Sequence, residues 1–163
     1  MKEIKHENFQ ENAFEMIGKD WLLITAEKDG KVNTMTASWG GVGVLWNKKV
    51  AYIFIRPQRY TKEFVDFSDR LSVCVLPNSY RKELSYLGNV SGKDEDKISN
   101  ANLKVQKYED VPYFDEARLT LICRKLYAQD LKEEYFIEKD IIDKWYPQKS
   151  NGRNIIWFLW FIL

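Results

Sequence analysis

Residues 33–61 read NTMTASWGGVGVLWNKKVAYIFIRPQRYT, and the rest of the chain is organised around this stretch. It holds two strand candidates, one arriving at Ser38 and one running from Val50 to Arg56, joined by a polar, glycine-rich connection. The β-branched and aromatic residues of the second favour a pleated, half-buried surface, and Pro57 stops it. Gly40, Gly41 and Gly43 are expected to break the first strand and to let the backbone approach a ligand closely. Trp46-Asn47-Lys48-Lys49 marks a further turn.

Upstream, Asn12 to Lys19 suits a short helix whose apolar face is Phe9, Ala13, Met16 and Ile17. Residues 21–26 are strand formers, and Asp29-Gly30 is a hairpin signal that returns Val32 to Ser38 beside them. Downstream, Thr61 to Phe67 reads as a helix and Leu71 to Leu76 as a strand. A second helix is expected from a Ser79 cap to Leu87, ended by Gly88. The polar middle, Ser91 to Asp115, is where mobility is expected, with Leu103 to Val105 a candidate edge strand and Pro112 a break. Ala117 to Leu131 is a convincing strand block, Tyr135 to Trp145 contains a helix, and Ile155 to Leu163 is a final β-like run.

The sum is six or seven strands with short helices between them. Most connections are too short for helical crossovers, so the fold class is mainly β, a largely antiparallel sheet, with a barrel as the way to close its edges. No repeat or linker divides residues 1–163, so a single domain is expected.

Composition narrows the function classes. Lys and Arg number 25 against 24 Asp and Glu, a net charge of +1, so no global field draws in nucleic acid or an anionic membrane. Any anion site must be local. The opening MKEIKHENFQENAF is polar rather than a basic, apolar leader, and the longest apolar run is too short for a helical membrane span, so a soluble, cytoplasmic protein is the expectation. One histidine, His6, leaves no histidine triad or zinc site to build. Cys74 and Cys123 lie within apolar segments and read as buried free thiols.

Three clusters could carry chemistry. Alternation puts the hydroxyls of Thr34, Thr36 and Ser38 on one strand face, followed by Trp39 and Gly40: either a half-buried β-face or a donor set for a planar polar ligand. Arg56, Arg59, Tyr60 and Thr61 put two guanidinium forks at a helix start, which suits a phosphate monoester as well as it suits solvent. Ser91, Gly92, Lys93, Asp94 and Lys97 form either a charged surface turn or an anion-binding concavity, with spacing unlike a Walker loop or a dinucleotide fingerprint. The adjacent Asp94, Glu95 and Asp96 point apart and make a poor metal site.

Taken together and in order, NTMTASWGGVGVLWNKKV, IRPQRYT, LGNVSGKDEDK and EARLTLICRKLY resemble the flavin reductase-like family of FMN-binding split β-barrels, over roughly Asp20 to Tyr146. The resemblance implies that Asn33, Thr36, Ala37, Ser38 and Trp39 line the isoalloxazine and ribityl region. It implies that Arg56, Arg59, Tyr60 and Thr61 serve the phosphate side, and that Ser91, Gly92, Lys93, Asp94 and Lys97 close over the cofactor. It further implies a homodimer with FMN near the interface, NADH or NADPH as transient electron donor, a small-molecule or protein acceptor, and no catalytic general base. Trp39 and Trp46 are expected near the site or interface. An FMN-binding electron carrier with little turnover of its own is the alternative. The resemblance departs at the C-terminus: where family members have a histidine-containing turn and a YIGEI-like strand, this chain has KSNGRN and then IIWFLWFIL. A flat apolar strand of that kind is an aggregation hazard if exposed.

Overall fold

The computed structural model describes residues 8–146 and the strand at 157–162. After a short helix α1 (Ala13–Glu15), capped by the Asn12 side chain on Phe14 N and Glu15 N, a wide turn at Met16–Asp20 buries Met16 and Ile17. The strands β1 (Leu22–Lys28) and β2 (Lys31–Ala37) pair antiparallel through the Asp29-Gly30 turn. Both turn residues have positive φ, 51° and 76°, the geometry that matches strand twist in a two-residue hairpin. Strands β3 (Gly40–Leu45) and β4 (Lys48–Ile55) repeat the device, with Trp46 and Asn47 both at positive φ.

Helix α2 (Thr61–Phe67) leads to β5 (Arg70–Val75), and α3 (Arg81–Asn89) follows a single turn at Asn78–Tyr80. Next come α4 (Lys97–Asn100), the hairpin β6 (Val105–Tyr108) and β7 (Val111–Phe114), and β8 (Leu119–Lys125). Helix α5 (Asp140–Trp145) and β9 (Trp157–Ile162) complete the set.

The main sheet has the order β2-β1-β5-β8-β9-β4-β3, and its pairings are antiparallel. Its two edge strands, β2 and β3, are consecutive in the chain and joined only by Ser38 and Trp39. That short link brings the edges together and obliges the sheet to curl into a barrel, split at this seam. Leu22, Ile24 and Ala26 of β1 and Leu71, Val73 and Val75 of β5 point into one core with Phe64 and Val65 of α2. Leu23, Cys74 and Leu76 point the other way, under Leu84 and Leu87 of α3 and Phe114 of β7. Burial on both faces is why 71–76 is apolar at every position but Ser72 instead of alternating.

Four expectations change. Gly40, Gly41 and Gly43 do not break the chain into a loop: they are part of β3, paired with β4, and the Tyr52 ring lies against Gly41 and Gly43. Gly40 also permits close approach, since a Cβ there would fall 2.5 Å from Tyr52 O. Pro112 does not break the polar middle; it sits in β7, and its carbonyl accepts from the Ser72 hydroxyl at 2.6 Å. Ser79 makes no cap and Gly88 lies within α3, which ends at Asn89. The apolar tail is an interior strand, paired on one side with β8 and on the other with β4, so its backbone groups are not an open edge. Lys149 to Asn154 lie outside the described residues.

Candidate functional site

Strand β2, the segment 56–61 and the segment 88–97 meet at one end of the barrel. The side chain of Asn33, buried on β2, donates to Thr61 Oγ1 at 3.1 Å, tying the strand to the start of α2. Gly92 lies against the same amide: a Cβ there would fall 2.3 Å from Asn33 Oδ1 and 3.5 Å from the Tyr60 ring. Only a residue without a side chain fits that contact. Lys31 Nζ donates to Gly92 O at 3.2 Å, and the ammonium groups of Lys31 and Lys93 lie over the Tyr60 ring, 5.4 and 4.9 Å from its centroid. Lys93 also pairs with Glu63 Oε1 at 2.7 Å.

The end of α3 is held by cations. A helix leaves its last carbonyls without intrahelical donors, and they form its negative pole. Here Lys97 Nζ donates to Leu87 O at 2.9 Å and Val90 O at 3.0 Å, while Arg59 Nη1 donates to Gly88 O at 2.6 Å. Lys97 is only 4% exposed. Burial, with the Arg59 charge adding to it, pushes its amine down to about 8 despite the opposing pull of Glu95. Burial and the neighbouring Arg56 likewise lower the Arg59 guanidinium. Among the described residues neither Lys97 nor Arg59 is in a salt bridge with a carboxylate. Local positive charge thus accumulates in a chain whose net charge is +1.

Arg56, though its charge reaches Arg59, makes its own contacts elsewhere. Its guanidinium carbon lies 5.1 Å from the Trp39 ring centroid and 5.6 Å from that of Tyr146, and Nη2 donates to Trp145 O at 3.3 Å. Trp39 and Trp145 meet edge to face at 5.5 Å. This aromatic cluster sits at the seam of the barrel, where Trp39 joins β2 to β3.

Asn33, Arg59, Tyr60, Thr61, Gly92, Lys93 and Lys97 therefore share one neighbourhood, and Arg56 and Trp39 share another. The hydroxyl face expected on β2 is not a donor set. Thr34 is fully buried and bonded to Thr25 Oγ1 at 2.9 Å, and Thr36 donates to Leu84 O at 2.6 Å under α3; only Ser38 is exposed. Asn33 and Thr36 project to opposite faces of the strand, and Ala37 packs into the core. Ser91 Oγ accepts from Lys93 N at 3.2 Å and Asp94 N donates to Ser91 O, so these two residues shape the turn around Gly92. Lys97, expected over the ligand, is inside the fold on carbonyls. The sequence reading missed Lys31, Glu63 and Gly88. Lys31 is the first residue after the Asp29-Gly30 turn, and its hairpin register is the signal that places it beside the site.

The chain is thus an antiparallel split barrel with a cation-rich end flanked by an aromatic seam. Residues 17–158 match the family described as flavin reductase like domain, and the chain belongs to that family. Among solved structures it is similar to flavoredoxin from Methanosarcina acetivorans, with 23% identity, a TM-score of 0.68, and coverage of 100% of this chain and 74% of that one. It is also similar to an FMN-binding domain of a flavin reductase-like enzyme from Shewanella baltica, at 16% identity and a TM-score of 0.65, covering 93% and 70% of the two chains. Nitrilotriacetate monooxygenase component B from Bacillus cereus superimposes with a TM-score of 0.66 at 16% identity, over 100% of this chain and 79% of that one. No curated protein sequence matches the chain significantly. Among the described residues no helix is long and apolar enough to cross a membrane.

Proposed function

We propose that this end of the barrel binds FMN, with the phosphate toward Arg59 and the segment 88–97 and the ring toward the Ser38-Trp39 seam. The observation that carries the reading is the meeting of Arg59 and Lys97 on the end carbonyls of α3 with, among the described residues, no carboxylate bonded to either. A dianionic phosphate supplies the counter-charge that this arrangement lacks. The fit extends to shape: Gly92 keeps the backbone close to Asn33 and Tyr60, a cradle that any Cβ would fill. Arg59 and Lys31 supply the donors, Lys93, paired with Glu63, packs on the Tyr60 ring, and Trp39 offers an aromatic face for a flat ring.

When bound, FMN would accept a hydride from NADH or NADPH and pass electrons to an acceptor, making the protein a flavin reductase-type oxidoreductase. The chain's own part is to hold the phosphate, to fix the ring at the seam and to limit water there. No general base is required of it. A homodimer as the working form belongs to the same reading. Buried free Cys74 and Cys123, their thiols pushed up by burial, accord with a reducing, cytoplasmic setting.

The visible spectrum of freshly purified protein tests the binding reading. Bands near about 370 and 450 nm, with FMN released on denaturation, are the expected result. Rapid anaerobic bleaching of those bands by NADH or NADPH is expected of the reductase, whereas persistence of the bands marks an electron carrier. A colourless preparation that fails to take up added FMN would end the proposal.

A further inference from the structure

Lys97 bonds no ligand-facing group, yet it is the most enclosed charge among the described residues. A buried ammonium is costly unless its protons are used, and two of the three here go to Leu87 O and Val90 O. Between those carbonyls in sequence lies Gly88 O, the acceptor of Arg59. One helix end therefore carries two cations, one inside the fold and one on the side of α2. We propose that Lys97 is a positioning residue for the anion site: it fixes the end of α3 on which Arg59 rests, and lends its charge to a phosphate-bearing ligand without touching it. The proposal rests on the FMN reading for the identity of that ligand.

Other charged groups surround the site. From α3, Tyr86 donates to Glu95 Oε2 at 2.6 Å, and Asn100 of α4 donates to the same oxygen at 2.7 Å. That network leaves Glu95 as an acidic neighbour of Lys97 rather than its bonded partner. From the 56–61 segment come Arg59 and, beside it, Arg56. From β2 comes Lys31, bonded to Gly92 O. Lys93 is neutralised by Glu63, and Asp96 is turned to Ser99 as the cap of α4. Burial brings the Lys97 amine down to about 8, near the upper end of the neutral range. Deprotonation would leave the two carbonyl bonds with a weaker donor and remove one positive charge from beside Arg59.

The test compares FMN with riboflavin, which carries the same ring and no phosphate, so that ring effects cancel. Dissociation constants are measured by flavin fluorescence for wild type, K97M and K97R, between pH 7.5 and 9.5, above the second phosphate pKa of about 6. Wild type is expected to prefer FMN, with the preference falling severalfold as pH rises through about 8. K97M is expected to lose about tenfold of the preference at pH 7.5, the scale of one charge acting at close range in a partly buried site. Its remaining preference should show no fall across the range, and K97R should restore most of the loss.

Equal weakening of FMN and riboflavin in K97M would show a merely structural lysine and overturn the proposal, as would a wild-type preference indifferent to pH. Should K97M fail to fold, the wild-type and K97R profiles decide. Should wild type bind neither flavin, the FMN reading fails by itself. Inorganic phosphate is then the probe: a phosphate-dependent rise in Tm of wild type that vanishes at pH 9.5 upholds the role of Lys97, and its absence overturns it.

Discussion

Arg56 and Arg59 lie three residues apart and look alike in sequence, but the structure sends them to opposite kinds of partner. Arg59 is half-buried and bonded to a helix carbonyl, in a neighbourhood of backbone oxygens, a second cation and close glycine contacts. Arg56 lies near the face of Trp39 and the ring of Tyr146, in an aromatic neighbourhood at the seam. The first region is built by hydrogen bonds that leave little room to adjust. The second is built by ring contacts, which tolerate movement and are worth about 0.5–1 kcal/mol each where exposed. Rigid geometry at the one end and adaptable packing at the other suit a ligand with a fixed charged group and a broad flat ring.

The largest effect is expected where the rigid region has no slack. Gly92→Val would drive a side chain into Asn33 Oδ1 and the Tyr60 ring. Overpacking costs about 1–3 kcal/mol, and here the displaced groups belong to the proposed site. FMN affinity should fall by about a hundredfold, since each 1.4 kcal/mol is tenfold, with a lower Tm besides. Titration of the variant with FMN, beside circular dichroism to confirm folding, checks it. Wild-type affinity in this variant would mean that the cradle at Gly92 is not part of the binding site.

Next in size is Arg59→Leu, which removes the donor to Gly88 O along with a charge. Hydrogen bonds to charged groups are worth about 1.5–3 kcal/mol, so FMN should bind ten- to a hundredfold more weakly while riboflavin changes less. Arg56→Ala should cost roughly three- to fivefold for FMN and riboflavin alike, because its partners are rings and not the phosphate end. If Arg56→Ala proved the more phosphate-selective of the two, the division between the regions would be reversed.

That division was only partly visible in the sequence. The hairpin turns at Asp29-Gly30 and Trp46-Asn47 and the helix at Thr61–Phe67 were legible, because turn chemistry and hydrophobic runs are local signals. The separation of Arg56 from Arg59 was not, since it depends on Trp145 and Tyr146, nearly ninety residues away. The glycines of β3 looked like a loop because Tyr52, which lies against them, belongs to the next strand. Thr34 looked like a ligand donor because its partner, Thr25, is fixed only by the β1–β2 register. The long apolar tail looked like a hazard until its two pairing strands were known. In each instance the missing information was a tertiary neighbour, not a propensity.

The smallest expected effect separates the two regions by pH. A guanidinium keeps its proton throughout the accessible range. Lys97 differs, since its folded-state amine is pushed down to about 8 from 10.5. Between those values the unfolded chain holds more protons than the folded one, so this group makes stability rise with pH across that window. Below about pH 8 the burden of the buried charge is fully present, and it is relieved as pH climbs toward 10.5. In ligand-free protein, the Tm of wild type relative to K97M should therefore improve by a few degrees from pH 8 to 10, about 2–4 °C for each kcal/mol in a chain of this size. Affinity for FMN over riboflavin should decline over the same range. Opposite slopes for fold and ligand are the mark of a charge retained for binding at the expense of stability; parallel slopes would place Lys97 with the residues that serve the fold alone.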